Sequence, residues 1–216
     1  MESVASRRRG RPPRSFEGRL DTRQALLRAG VEVLTEKGFT ATGLDEILRR
    51  LGVPKGSFYH YFPSKEAFGM AVIDAYAIYF ARKLDRALLD ASRPPLTRIE
   101  AFVEDAARGM RRHGFRRGCL VGNLGQEMNT LPESFRARLL AVFEDWQSRL
   151  RTCLECARVD GSLAGDADCD ALAEFFWIGW EGAVLRAKLE QDDAPLRRFA
   201  DGFFRTLPWG QTGSPN

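Results

Sequence analysis

The chain has 216 residues, 44% of them hydrophobic and 29% charged, with a formal net charge of +4. This composition excludes a largely disordered chain, and the length can bury a full core in one or two domains. No apolar run approaches the roughly 18 residues of a membrane span, and no apolar stretch follows the N-terminal arginines as in a secretory signal, so the expectation is a cytoplasmic protein with no membrane partner.

Residues 1–20 read as a basic flexible arm. Arg7, Arg8, Arg9, Arg11, Arg14 and Arg19 stand there against Glu2 and Glu17, a surplus equal to the net charge of the whole chain. Such an arm gains affinity for nucleic acid by displacing counterions from phosphates, whatever the base sequence; the alternative is a merely solvated tail. Asp21 with Gln24 reads as a helix start, and Leu26, Gly30, Val33 and Leu34 mark the inner face of a helix ending at Gly38.

From Thr40 to Phe62 the pattern is helix, turn, helix. Leu44, Ile47, Leu48 and Leu51 repeat at the spacing of one helix face, and Thr42 with Asp45 reads as a capping box before them. Gly52, Val53 and Pro54 stop that helix, because glycine permits a left-handed turn and proline removes a donor. A second short helix then interleaves Lys55, Gly56, Ser57, Tyr59 and His60 with Phe58, Tyr61 and Phe62. In a helix-turn-helix the second helix enters the DNA major groove with its N-terminal residues toward the bases, which points to Lys55, Gly56, Ser57 and Tyr59.

Pro63 and Ser64 end this unit. Lys65 opens a long helix with Phe68, Val72, Ala75 and Tyr79 on one stripe, and the sequence SRPP at 92–95 breaks it. Thr97 with Glu100 reads as a capping box ahead of Ile99, Phe102, Val103, Ala106 and Met110. HGFRRG at 113–118 is a loop, and the glycine-rich run from Cys119 to Met128 reads as a shorter helix that its glycines weaken. Helical spacing continues from Phe135 through Trp146 to Ala157. From about Asp168 a helix apolar nearly all round is expected to be buried on more than one side, and its Gly179, Gly182 and Ala183 permit close approach of a neighbour. A last amphipathic helix carries Leu196, Phe199, Ala200, Phe203 and Leu207, and WGQTGSPN reads as a frayed tail. No period-2 strand pattern occurs, so the fold class is all-α.

Enzyme readings find no support in the residues. Two histidines build no triad or His-rich metal site, and phosphate-loop, zinc-protease and nucleophile-elbow motifs are absent. The four cysteines read as reduced thiols, with Cys153 and Cys156 packing in a helix rather than forming half a zinc site. No cofactor and no metal are expected.

The run GVPKGSFYHYFPSKEAF, preceded by GFTATGLDEIL, resembles the DNA-binding core of tetracycline-repressor-like (TetR) transcriptional regulators, nearly residue for residue from about Asp21 to Phe68. Pro54 departs from the pattern, since many members carry there a serine that caps the recognition helix. The resemblance implies a three-helix DNA-binding head over 21–68, a helical ligand-binding and dimerisation domain over 69–210, and a tail over 211–216. It also implies a homodimer, joined by the last two long helices of each subunit, that binds a palindromic DNA operator and is released by a small-molecule effector. On this reading Lys55, Gly56, Ser57, Tyr59 and His60 meet the operator, Thr42 and Lys65 reach flanking phosphates, and Arg7, Arg8, Arg9, Arg11 and Arg14 add sequence-independent affinity. Tyr61 and Phe62 pack beneath the helix. An architectural DNA-binding protein without an effector is the alternative, against which the large aromatic body argues.

RGCLVGNLGQEM and WIGWEGAVLRAKLE further resemble a branch of that family responding to reactive electrophiles or small unsaturated carboxylates such as acrylate. The resemblance implies sensing by Cys119 and Lys188. Arg116 and Arg117, together with the free amides of a helix start, would favour a Cys119 thiolate. Polarity and aromatic content add Tyr76, Arg116, Asn123, Trp177 and Trp180 as pocket walls. Two alternatives stand: an inert buried Cys119 with a solvated Lys188, and a reversible pocket in which Arg116 or Lys188 holds a carboxylate.

Overall fold

Two left-handed glycines divide the N-terminal head into its helices. In the computed structural model, which describes residues 16–210 with side chains from residue 21 onward, α1 (Phe16–Lys37) ends before Gly38 at φ 80°, and α2 (Leu44–Leu51) ends on Gly52 at φ 61°. A side chain at either position would be strained. The arm arginines Arg7, Arg8, Arg9, Arg11 and Arg14 and the 211–216 tail lie outside the described residues. Helix α1 starts at Phe16, so Asp21 sits within it rather than at its cap, and the last five residues assigned to the arm are helical. α3 (Lys55–Phe58) is one turn long and continues through Tyr61 and Phe62 as hydrogen-bonded turns onto Phe58.

The capping boxes read from the sequence did not form. Gly43 rather than Thr42 is the N-cap of α2, and it makes no side-chain bond. Thr42 instead donates its hydroxyl to the Gly38 carbonyl at 2.6 Å, which ties the α1–α2 connection closed. α5 (Pro95–Arg112) likewise starts on proline with Pro94 at the cap, so Thr97 lies in its first turn. A proline at the first helical position needs no amide partner and already has the required φ. Ser64 does cap α4 (Lys65–Leu88), accepting from the Ala67 amide at 3.0 Å.

The body packs α4 and α5 against α6 (Leu120–Gln126), α7 (Glu133–Val159), α8 (Cys169–Glu190) and α9 (Ala194–Thr206). Its centre is an aromatic stack in which Trp146 lies 5.0 Å from Trp177 and 4.4 Å from Phe80 between ring centroids, with Phe102 and Trp180 alongside. Burial of each such side chain stabilises by about 1.5–3 kcal/mol or more. On α4 the buried stripe runs through Phe68, Val72, Ile73 and Tyr76, whereas Tyr79 is exposed. The chain after α9 is not frayed at once: Ala164 and Gly210 donate to Pro208 and Ser162, pairing Trp209 with Leu163 in an isolated bridge.

Helix α8 divides its apolar residues between two faces. Phe176, Trp177, Trp180, Ala183 and Val184 are buried within the subunit, and Gly179 lets Phe199 of α9 approach so closely that a Cβ would collide with its ring. Phe175, Ile178, Leu185 and Leu189 face outward with Gly182, which has open space before it. The expected burial on several sides is therefore only half satisfied within one chain.

Candidate functional site

The head presents Lys55, Gly56, Tyr59 and His60 on its surface, with Ser57 partly covered. Tyr59 is half exposed, its ring resting edge-on against Phe58, and Phe58 and Phe62 are buried beneath with Tyr61 packed partly against them. Lys55 is held beside Asp45 at 3.3 Å, an exposed pair that water can replace. Two expected phosphate contacts are corrected. Thr42 is buried, with its hydroxyl committed to Gly38. Lys65 turns inward, donating to the Phe39 carbonyl at 3.0 Å and lying 4.4 Å over the Phe39 ring, and burial lowers its pKa.

A cavity of about 810 Å³ lies in the body between α1, α4, α5 and α8. Tyr76, Cys119, Trp180 and Glu181 contribute to its wall, and Arg28, Arg82, Arg86 and Arg112 line it too, without ion pairs among the described residues. Of the seven expected effector residues, Tyr76, Cys119 and Trp180 line it. Arg116 is exposed and outside it, and Trp177 is sealed behind the wall in the aromatic stack.

Asn123 and Lys188 also lie off the cavity, on the far side of Cys119, in a small crevice with other work. A helix C-terminus leaves carbonyls unpaired and favours a cation. At the end of α1, Asn123 Nδ2 donates to Leu34 and Thr35, Gly118 N donates to Thr35, and Lys188 Nζ donates to Glu36 at 3.0 Å. Arg117 pairs with Glu32 and Glu36 of the same helix. The segment around Cys119 thus clamps the helix that leads into the head.

The opposite end of α6 grips the head itself. Glu127 accepts from the Phe39 amide at 3.0 Å and the Thr40 amide at 2.7 Å. Its carboxylate sits so close to Gly38 that a Cβ there would collide with Oε1, a second reason for glycine at that position. Nothing in the periodicity of the sequence marks Glu127.

Cys119 is the N-cap of α6, and its Sγ accepts from the Gly122 amide at 3.4 Å. The expected thiolate is overturned: burial pushes the thiol pKa well up, and the charge of Glu181 raises it further. Neither neighbouring arginine stabilises a thiolate here, because Arg116 points to solvent and Arg117 serves α1. The titratable neighbours of the thiol in the cavity wall are instead Glu181 and Tyr76. Glu181 is partly exposed as a residue, but its Oε1 is enclosed and lacks a hydrogen-bond partner, and burial raises its pKa to about 7. Sequence reasoning passed over it. The available signal was a lone carboxylate on the helical stripe of Trp177, Val184 and Lys188.

Cys153 is buried, its thiol donating to the Pro95 carbonyl and its pKa pushed up to about 12, while Cys156 is exposed, so the pair does not converge on a site.

Comparison with known proteins bears on the family and the fold. Residues 26–71 match the family of bacterial regulatory proteins of the tetR type, and residues 95–203 match the tetracyclin repressor-like C-terminal domain. The transcriptional regulator AcuR of Cereibacter sphaeroides is 57% identical over 198 residues, covering 92% of this chain and 90% of AcuR. A crystal structure of a regulatory protein TetR from Rhodobacter sphaeroides superposes with a TM-score of 0.83 at 58% identity, covering 85% of this chain and 97% of that one. The reduced form of NemR from Escherichia coli superposes with a TM-score of 0.81 at 31% identity, covering 88% and 99%.

Proposed function

Because this chain belongs to the TetR family of bacterial transcriptional regulators, we propose that it is a homodimeric repressor released from a palindromic operator by a small electrophile or an unsaturated carboxylate such as acrylate. The observation that carries this reading is the placement of α6. One end holds Cys119 in the cavity wall, and the other holds Glu127 on the Phe39–Thr40 amides of the head. A ligand that displaces Cys119 moves a rod of only seven residues, and the grip on the α1–α2 loop moves with it. Such a ligand must favour the DNA-incompetent arrangement, since equal affinity for both arrangements shifts nothing.

Operator reading falls to Lys55, Gly56, Ser57, Tyr59 and His60, with the arm arginines supplying the salt-dependent part. One such helix reads too few base pairs for strong specificity, and the outward stripe of α8 offers a two-fold surface through which a second copy supplies the other helix. The resemblance of the segments around Cys119 and Lys188 to the electrophile-responsive branch supports Cys119 as the point of attack. Lys188 acts as the anchor of α1 rather than as a contact to the effector. A reversible reading also has an observation in its favour, the high pKa of the Cys119 thiol. The cavity volume falls in the range that takes drug-sized molecules, so the reactive unit can belong to a larger molecule.

The test is operator release, followed by fluorescence anisotropy, with acrylate and with methyl vinyl ketone on wild type and Cys119→Ser, and with intact mass recorded alongside. Covalent sensing gives an adduct on Cys119 and no release of the serine variant by the ketone. Release without adduct, retained in Cys119→Ser, assigns the reversible pocket. No release by either compound in wild type refutes the effector class, and DNA coverage spreading without sequence preference refutes the repressor.

A further inference from the structure

A thiolate, not a thiol, attacks an electrophilic carbon, and the surroundings of Cys119 withhold the usual means of forming one. Arg117 is taken up by Glu32 and Glu36, Lys188 by the carbonyls of α1, and Arg116 lies outside the cavity. The proton on Sγ therefore needs an acceptor within the wall. Glu181 is beside it. Gly122 brings the two together: a Cβ there would collide with the Glu181 carboxylate and lie 3.7 Å from Cys119 Cβ. The second carboxylate oxygen, Oε1, is enclosed without a partner, an unusual state for a buried polar atom. Tyr76, buried on α4, lines the same wall as the thiol.

We propose that Glu181 is the general base for alkylation of Cys119 by α,β-unsaturated carbonyl compounds, with Tyr76 holding the carbonyl oxygen. This inference rests on the covalent form of the reading above. Glu181 takes the proton from Sγ, and Sγ forms a bond to the β-carbon. The π pair of the carbon–carbon double bond moves toward the carbonyl, giving an enolate whose oxygen accepts a hydrogen bond from Tyr76. The α-carbon then takes the proton back from Glu181. The net change is addition of S–H across the double bond, with no leaving group and no oxidant. A carboxylate raised to about 7 is poised for this transfer at neutral pH. The titratable and charged groups around it are Cys119 and Tyr76 in the same wall, Lys188 further along its own helix, Glu36 and Arg117 across the clamp, and His113 with Arg28, Arg82, Arg86 and Arg112 on the rest of the cavity lining, where Lys83 and Asp105 pair with each other. Preference follows from charge: beside the thiol a Glu181 carboxylate favours an enone, ester or amide, while Arg28, Arg82, Arg86 and Arg112 elsewhere on the lining can take an acidic group carried farther from the reacting carbon.

The test is the rate at which methyl vinyl ketone adds to Cys119 of the full-length protein, read by intact mass and peptide mapping from mildly acid to alkaline pH. In wild type the rate should rise through neutrality, following a carboxyl rather than a thiol. Glu181→Gln keeps the shape but cannot accept the proton. It should slow addition by about 10²-fold near neutral pH and leave a rate that climbs only at alkaline pH. Tyr76→Phe should slow addition while keeping the inflection near neutrality. Equal rates and profiles in wild type and Glu181→Gln overturn the base while leaving covalent sensing intact. A wild-type rate with no inflection near neutrality also overturns it, whether or not the glutamine variant folds. Absence of any Cys119 adduct overturns both.

Discussion

Removing the Glu127 carboxylate should uncouple the cavity from the head. Its oxygens accept two backbone amides, at 3.0 and 2.7 Å, and its charge also lies near Lys65. Hydrogen bonds to a charged group contribute about 1.5–3 kcal/mol each when well ordered. Here Thr40 is exposed and its amide can return to water, so about 2 kcal/mol for the pair is the appropriate scale. Coupling between two sites is commonly 1–3 kcal/mol, so losing this grip removes most of it. Glu127→Ala should therefore lower the melting temperature by roughly 4–8 °C. More diagnostically, it should collapse the ratio of operator Kd values with and without saturating acrylate from on the order of 30-fold toward unity. Glu127→Gln, which keeps one acceptor oxygen, should fall between. Anisotropy titrations of a labelled operator measure both constants. A Glu127→Ala protein that keeps the wild-type ratio would refute the α6 lever, whatever happens to its stability.

Two further outcomes follow from the same geometry. Burial raises the Glu181 carboxyl to about 7 in the folded chain against an ordinary 4.5, so between these values folding binds a proton. Its destabilising contribution is absent below pH 4.5, grows as pH rises to 7, and is complete above, at about 3 kcal/mol. The melting-temperature advantage of Glu181→Gln over wild type should accordingly widen from acid to alkaline pH, and a gap independent of pH would contradict the burial argument. Ile178 is 68% exposed on the outer face of α8. Ile178→Glu should leave the subunit fold within about 0.5 kcal/mol but convert dimer to monomer in light scattering and abolish tight operator binding; an unchanged mass would place the interface elsewhere.

Helix positions and the exposed face of the helix-turn-helix could be read from the sequence because both depend on neighbours in the chain. Leu44, Ile47, Leu48 and Leu51 share a face at any tertiary arrangement, and Gly52 and Pro54 stop a helix by their own backbone restrictions. The aromatic signature from Phe58 to Phe62 placed Tyr59 outward and Phe62 inward for the same local reason. Capping was less secure. A hydroxyl near a helix start can serve any acceptor within reach, and Thr42 found the Gly38 carbonyl.

Partnership across the fold decided the rest. Lys188 and Asn123 looked like ligand contacts until the end of α1 supplied carbonyls that need donors. The Cys119 thiolate was inferred from arginines adjacent in sequence, but Arg117 found carboxylates on α1 and a distant carboxylate, Glu181, became the neighbour that matters. Sequence by itself determined the family, through the resemblance of its helix-turn-helix run, and the helical fold, because short-range periodicity and backbone preference dictate where helices form. Tertiary structure alone decided which charged groups remain free to act, because a side chain's charge is available for chemistry only after packing has settled which buried carbonyls and carboxylates it must satisfy.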